Sequence, residues 1–380
     1  MEICSYELCC GCGQCAYICP RSAVEMKKDE EGFLRPVIDS EKCVSCGLCE
    51  RKCPVNNKSP LEPLEVVAAQ SKDDKIRSLS SSGGIFATAA KCFIEDGGLV
   101  CGAAFDEDMR LCHTTAETVD ELWPLMGSKY IQSYTVDIFK KIDEALKAGR
   151  KVMFCGTPCQ GAAVRNSFGD HENLTVVDFI CHGVPTPKLF ERFMEDKFSD
   201  PKFVTFRDKK RGWEVFSMRV DDEKGTYNVS RYKDPYIRIF LENVSLRPSC
   251  YNCSWKAENF SSDITIGDFW GVSKVLPSMN DDKGTSLVII RSRKGKEIFE
   301  RIEKGLIYKK TDIESSVKSN GMYNESTVMP QRREEFFDLI KANASFEEIN
   351  SKFGHPISNG KVFVIRCKRF VKTVLFKLMK

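Results

Sequence analysis

Apolar and polar residues follow one another in short blocks along most of this chain, switching between a period of two and a period near 3.6. Val66-Val67-Ala68-Ala69 reads as a strand, residues 84–95 as a helix and Leu99–Phe105 as a strand. Residues 136–148 carry the stripe of an amphipathic helix, ended by Gly149. Lys151–Phe154 and Leu174–Phe179 are short apolar strands, with helices predicted at 159–167 and 187–197. The stretch 202–230 is richer in strand signals; 285–292 and 295–304 read as a last strand and helix, and a helical region follows. Such alternation predicts an α/β core. Residues 58–64, with two prolines and no periodicity, read as a linker. Ahead of it, Val24–Lys27 and Phe33–Val37 predict a short hairpin around an acidic, glycine-containing turn.

A chain of 380 residues has room for two or three domains. Its 42% hydrophobic and 29% charged content is ordinary, and a net charge of +3 gives no reason to expect nucleic acid as a partner. Cysteine changes the picture. The chain holds 19, an odd number clustered at metal-ligand spacing, which argues for thiolates in a reducing compartment rather than a disulfide framework. No apolar core precedes Cys4 and no uncharged apolar run reaches a membrane span, so the cytoplasm is the expected address.

One pattern stands twice near the start: Cys9-x2-Cys12-x2-Cys15-x3-Cys19-Pro20 and Cys43-x2-Cys46-x2-Cys49-x3-Cys53-Pro54. Three cysteines at two-residue gaps wrap a corner of a cubane cluster, and the fourth, followed by proline, reaches the other cluster. Cys9, Cys12, Cys15 and Cys53 are therefore assigned to one [4Fe–4S] cluster, and Cys43, Cys46, Cys49 and Cys19 to a second. Zinc sites normally pair their cysteines across a wide gap, which this pattern lacks. Cys4 and Cys10 fall outside the pattern and read as bystanders; Cys92, Cys101 and Cys112 read as packing residues.

Several turns in the predicted core have the composition of a cofactor site. Ser80-Ser81-Ser82-Gly83-Gly84 precedes a helix, where free amides suit a phosphate, although a plain glycine cap reads the same way. Gly127-Ser128-Lys129-Tyr130-Ile131-Gln132-Ser133 offers a cation, hydroxyls and an amide. Cys155-Gly156-Thr157-Pro158-Cys159-Gln160 follows a strand, Asp178-Phe179-Ile180-Cys181-His182-Gly183 ends another, and Cys250-Tyr251-Asn252-Cys253 is a compact CxxC. Open α/β sheets bind ligands at strand C-termini, so these cysteines are candidates for one site.

Taken in order, these segments resemble the family of coenzyme F-420 hydrogenase/dehydrogenase β subunits, which includes 7-hydroxymethyl chlorophyll a reductase. The resemblance spans roughly residues 1–310. It is carried by Ser82-Gly83-Gly84, Gly127–Tyr130, Gly156–Gln160, Cys181-His182-Gly183-Val184-Pro185, Cys250–Cys253, Asp263–Gly271 and Gly284-Thr285-Ser286. It implies an α+β ferredoxin-like N-terminal module, then a mixed α/β flavin-binding domain; the helical C-terminal region beyond it is read from periodicity alone. The expected boundaries are 1–57 for the ferredoxin module, 65–150 and 151–310 for the two parts of the flavoprotein domain, and 311–380 for the helical region. It also implies FAD and a third [4Fe–4S] cluster on Cys159, Cys181, Cys250 and Cys253, with Cys155 in reserve. The flavin contacts it suggests are Ser82, Gly83, Gly84, Ser128, Lys129, Tyr130, Gln132, Gly156, Thr157 and Gln160.

The expected function is an iron–sulfur flavoprotein oxidoreductase. Electrons would move between ferredoxin-type clusters and FAD, and from FAD to or from a small-molecule substrate, deazaflavin-like or other. Lys129 is the candidate for stabilising reduced flavin and His182, the sole histidine expected in a candidate site, for proton donation. A non-catalytic electron-transfer protein serving a partner redox enzyme, and a scaffold without flavin, are the alternatives. From Lys361 to Lys380 the tail has seven Lys or Arg and no acid. Phe363, Cys367, Phe370, Val371, Val374 and Leu378 share one helical face, suited to an anionic membrane surface, a partner or the core.

Overall fold

The computed structural model describes the backbone of residues 2–378, and all side chains within it except those of 366, 369, 370 and 372–378. In chain order the strands are β1 (Val24–Lys28), β2 (Leu34–Ile38), β3 (Glu65–Ser71), β4 (Leu99–Phe105), β5 (Leu111–Ala116), β6 (Val152–Gly156) and β7 (Leu174–Phe179). They continue with β8 (Pro201–Asp208), β9 (Ser217–Asp222), β10 (Gly225–Ser230), β11 (Ile264–Asp268), β12 (Ser286–Ile290) and β13 (Leu306–Lys310).

The main sheet has eight strands in the order β13-β3-β12-β11-β7-β6-β4-β5. In its middle, β4, β6, β7 and β11 run parallel, and antiparallel pairs close both sides. Parallel strands are covered on both faces, and the period-two pattern shows how. Val100, Met153, Val177 and Val288 point to one face and pack on the helices Ile85–Glu95 and Arg293–Ile302. Leu99, Cys101, Val152, Phe154, Leu174 and Val176 point to the other and pack on Val136–Lys147 and Pro158–Phe168. The mixed α/β core is the fold expected from the alternation of elements.

Against this core stands a second, aromatic one. The antiparallel sheet β10-β9-β8 packs with the helices Pro187–Lys197 and Pro235–Leu241 around Phe190, Phe193, Phe206 and Tyr236. The later helices Arg333–Lys341 and Phe346–Phe353 add Phe336, Phe337 and Phe346 to the same core.

The N-terminal hairpin β1–β2 is flanked by two short helices, Gln14–Tyr17 and Leu48–Lys52. Each starts after a glycine with positive φ, Gly13 at 79° and Gly47 at 69°, a conformation in which glycine alone is unstrained. The unit is docked on the rest of the chain. Tyr17 stacks on Phe139 with ring centroids 5.3 Å apart, and Thr135 Oγ1 donates to Cys12 O at 2.8 Å. Arg333 holds Glu31 in the hairpin turn through two bonds of 2.9 and 2.6 Å.

Among the described residues no helix is long and apolar enough to cross a membrane. The last helix, Asn359–Leu378, exposes Phe363, Val364, Cys367 and Val371. The side chains of Phe370, Val374 and Leu378, and all of Lys380, lie outside the described residues.

Candidate functional site

The parallel register fixes where the chemistry gathers. Gly156 at the end of β6 lies opposite Asp178 of β7, and Phe179 opposite Ile266 of β11. The Cys155–Gln160 and Ile180–Gly183 turns therefore leave one sheet edge side by side. At the same edge Ser286 of β12 faces both Asp268 of β11 and Ala69 of β3. A Cβ on Gly83 would sit 2.3 Å from Ala69 O and 2.7 Å from Ser286 N, so the Ser82-Gly83-Gly84 turn presses directly on this edge.

None of the 19 cysteines forms a disulfide. Ten of them line two clefts in the N-terminal unit. An open cleft of about 380 Å³ is walled by Cys19, Cys43, Cys46 and Cys49, with Val24 and Ile38 behind them. A second, of about 330 Å³, is walled by Cys9, Cys12, Cys15 and Cys53, joined by Cys4 and Cys10. We call these the outer and inner sets. Both mix one repeat's first three cysteines with the other repeat's fourth.

Donors suited to a cluster surround these sulfurs. Backbone N–H groups of Gly11, Gln14 and Ala16 bond Cys9, Cys12 and Cys15; those of Val55 and Asn56 bond Cys53, and Ala23 N reaches Cys19 Sγ at 3.3 Å. Amide bonds to thiolates stabilise the negative charge a cluster carries. Gln14, buried on the inner cleft, has neither amide atom hydrogen-bonded. Among the described residues, no three His, Cys, Asp or Glu side chains stand close enough to hold a single metal ion. Each set supplies four cysteines with amide donors around them, the ligand number and surroundings a [4Fe–4S] cluster takes. The residues fit clusters.

Cys159, Cys181, Cys250 and Cys253 form a third group, mutually within electrostatic range. Val184 N donates to Cys250 Sγ at 3.3 Å, and Trp255 N bonds Cys253. Burial pushes the Cys250 thiol up to about 11. Cys155 stands apart: it is partly buried, near Asp178 and Lys129, and desolvation pushes its thiol up to about 12. Cys4 and Cys10 are not bystanders. Cys4 lines the inner cleft with Cys9 and Cys53, while Cys10 packs with both Cys12 of the inner set and Cys159 of the third. Their role depends on contacts across the fold, which linear spacing does not encode.

The residues suggested for flavin fall along the same edge but differ in how far they are engaged. Ser82 Oγ donates to Thr285 O at 2.8 Å, and Ser128 bonds Ser81 Oγ through its amide at 2.7 Å and its hydroxyl at 2.9 Å. Tyr130 OH accepts from Arg207 at 3.1 Å. Thr157 caps the helix after β6, with Gln160 Oε1 accepting from its amide at 2.9 Å and Gln160 Nε2 donating to Ser133 Oγ at 2.9 Å. Gln132 instead faces the hairpin, accepting from Leu34 N at 3.3 Å. Gly156 ends β6 beside this cap.

Lys129 donates to the carbonyls of Pro124 and Met126, each at 2.8 Å, and burial pulls its ammonium down to about 7. His182 Nε2 lies 2.6 Å from Asn243 Oδ1, and its ring packs on Phe240. It is not alone: His113 on β5 contacts Cys155 O at 3.2 Å and comes within range of Lys129, and burial pulls it down to about 4. β5 carries no clean strand signal in the sequence, so nothing there places His113.

A cationic wall was also invisible in the sequence. Buried Arg207 clasps Asp268 at 2.7 and 3.0 Å and donates to Ser81 O at 3.1 Å. Lys209 donates to Arg77 O at 2.5 Å and Ser82 O at 3.0 Å, and burial pulls it down to about 7. Together they tie the Ser81–Gly84 turn to the β8 sheet. Trp213 donates to Asp268 at 2.7 Å and stacks on Trp270 at 4.9 Å.

Comparison with known proteins gives these cysteine sets a context. Residues 149–316 match the family described as the C terminus of the coenzyme F420 hydrogenase/dehydrogenase beta subunit, and residues 8–57 match the 4Fe-4S dicluster domain. The chain is 23% identical over 330 residues to the F subunit of the F(420)H(2) dehydrogenase of Methanosarcina mazei, covering 79% of this chain and 84% of that one. It is 24% identical over 346 residues to an uncharacterized protein of Methanocaldococcus jannaschii, covering 79% and 88%. A chain of the F420-reducing [NiFe] hydrogenase complex from Methanosarcina barkeri superposes with a TM-score of 0.49 at 20% identity, over 78% of this chain and 93% of that one.

Proposed function

We propose, from the match of residues 149–316 to the coenzyme F420 hydrogenase/dehydrogenase β-subunit family and of residues 8–57 to the 4Fe–4S dicluster domain, that the chain is a member of that family and an iron–sulfur flavoprotein oxidoreductase. In this reading it holds three [4Fe–4S] clusters and FAD, and exchanges electrons between a redox protein and a small-molecule substrate. When bound, the clusters supply one-electron transfer and the flavin converts it to two-electron or hydride chemistry.

One observation carries the reading: Cys10 and Cys12 of the inner cleft pack in one cluster with Cys159 and Cys253, so the inner set adjoins the third, and the third lies on the edge where the Ser81–Gly84 and Ser128–Tyr130 turns meet. The inner, outer and third sets would each hold one cluster. Ser82, Gly83, Gly84, Ser128 and Tyr130 would approach the flavin, with Gly156, Thr157 and Gln160 shaping the neighbouring helix start. Gln132, bonded to the hairpin, would join that edge to the ferredoxin module. Lys129 would hold positive charge beside the flavin below its depressed pKa, and His182 would supply a proton from the third-cluster side.

Iron and flavin content of anaerobically purified protein, with its visible spectrum, tests this. About twelve irons and one FAD per chain are expected; about eight irons and no flavin after reconstitution would leave only the dicluster module.

A second reading, an electron-transfer protein without its own substrate, is favoured by exposed Cys46 and Val44 at the outer cleft, where a protein partner can approach. Turnover of a small-molecule acceptor by the isolated chain would refute it. For the basic tail we propose peripheral contact with anionic lipid. Deleting 361–380 should abolish co-sedimentation with phosphatidylserine vesicles, and unchanged binding would dismiss the contact.

A further inference from the structure

Arg247 is 3% exposed, and its Nε and Nη2 have no hydrogen-bond partner. A buried guanidinium in that condition is costly unless a counter-charge faces it. Its neighbour Arg35 shows the contrast: also buried, Arg35 pairs with Asp29 at 3.1 Å and donates to Tyr6 O and Cys9 O at 2.7 and 2.9 Å.

The place of Arg247 says what its counter-charge is. Its guanidinium lies over the Phe33 ring, 5.3 Å from the centroid, and against Gly11, where a Cβ would sit 3.4 Å from Cζ. Gly11 lies within the inner Cys9–Cys12 loop. On its other side Arg247 starts the short helix Pro248–Tyr251 that carries Cys250, and its own amide bonds Val184 O at 3.0 Å, beside the Cys250 thiol. Its charge reaches Cys9 of the inner set and both Cys159 and Cys250 of the third, and neither Arg247 nor the Gly11 and Phe33 it lies against lines the outer cleft.

We propose that Arg247 is a positioning residue whose buried guanidinium, with Nε and Nη2 free of hydrogen bonds, is shared between the inner and third clusters, raising the reduction potential of both and of neither other centre. This rests on the three-cluster reading above. Each cluster gains negative charge on reduction, and a cation in a low-dielectric seam stabilises the reduced form of whichever it faces. One charge serving two centres keeps their potentials moving together, which suits transfer between neighbours in either direction.

The test is a potentiometric titration of the anaerobic full-length protein, with the clusters resolved by EPR. Arg247→Met should make reduction of the inner and third clusters at least about tenfold less favourable, a fall of about 59 mV for a one-electron couple. The outer cluster should not move, and Arg247→Lys should recover most of the shift. Unmoved potentials in an iron-replete Arg247→Met protein would overturn the proposal, as would equal shifts in all three clusters. If iron is lost in Arg247→Met and Arg247→Lys alike, the role is structural and the proposal fails. A wild-type content of about eight irons would instead remove the three-cluster reading itself.

Discussion

The two ends of the N-terminal module are built from one repeated motif and live in different surroundings. At the inner end Cys9, Cys10, Cys12 and Cys53 are buried. Cys10 and Cys12 are packed in the same apolar cluster as Phe139, Phe154 and Trp255 of the main domain. At the outer end Cys46 is exposed, Val44 is 61% exposed, and Arg51 brings a solvated cation, donating to Cys46 O at 2.9 Å. Identical ligand spacing thus specifies two sites whose dielectric, amide supply and solvent access differ, which are the factors that set cluster potential and lability. The motif dictates that a cluster is held; the docking surface dictates how it behaves.

The largest effect should come from breaking one ligand at each end. Cys46→Ser is expected to lose about four irons and leave thermal unfolding of the main domain where it was. Cys12→Ser should lose a comparable amount and also lower the domain's unfolding temperature, because Cys12 is packed in its core. Iron analysis with circular dichroism melts reads both, and identical melting for the two variants would show the ends to be equivalent. In air, the outer cluster should bleach before the inner.

Next in size is the clasp that holds the module in place. Arg333 grips Glu31 and also donates to Leu246 O at 3.0 and 3.3 Å, with side chains only 12% and 13% exposed across the pair. Arg333→Met should cost about 3 kcal/mol in anaerobic urea unfolding, since it strands the Glu31 carboxylate. The loss should fall on the inner cluster's retention rather than the outer's.

A pH effect separates the main domain from the module. Burial holds the His113 imidazole near 4, against an ordinary 6.5. Between those values the unfolded chain takes up a proton that the native core refuses, so stability is full above 6.5 and falls as pH drops through the window. From pH 6.5 to 5 the loss attributable to His113 is about 2 kcal/mol. Comparing wild type with His113→Phe at both pH values isolates it, and an undiminished acid slope in the variant would assign the slope elsewhere.

Much of this was legible in the residues. The crossed grouping of Cys19 with Cys43 and of Cys53 with Cys9 follows from spacing alone, and β4, β7 and the helix Pro187–Lys197 fall where the apolar periods place them. What was not legible is whatever depends on neighbours distant in sequence. β11 contains Gly267 and Asp268, poor strand formers that hold their place because β7 and β12 pair on either side. Arg207 and Lys209 sit in a mixed polar stretch and become a cationic wall only when β8 meets the Ser81–Gly84 turn. Cys10 looks like a spare thiol until Cys159, remote in the chain, arrives beside it.

The smallest expected effect probes the seam between the two ends most directly. Tyr17 belongs to the module, yet its ring stacks on Phe139 at 5.3 Å and leans on Phe168 at 5.8 Å, both from helices of the main domain. Tyr17→Leu keeps an apolar contact while removing the ring pair, so it should cost about 1 kcal/mol. Tyr17 follows Cys15 by two residues and precedes Cys19 by two, one in the inner set and one in the outer. If docking is what distinguishes the two ends, the variant should speed chelator extraction of iron from the inner cluster and leave the outer rate alone. Equal acceleration at both would mean that Tyr17 stiffens the cysteine loop itself, and that the main domain is a neighbour of the inner cluster rather than its wall.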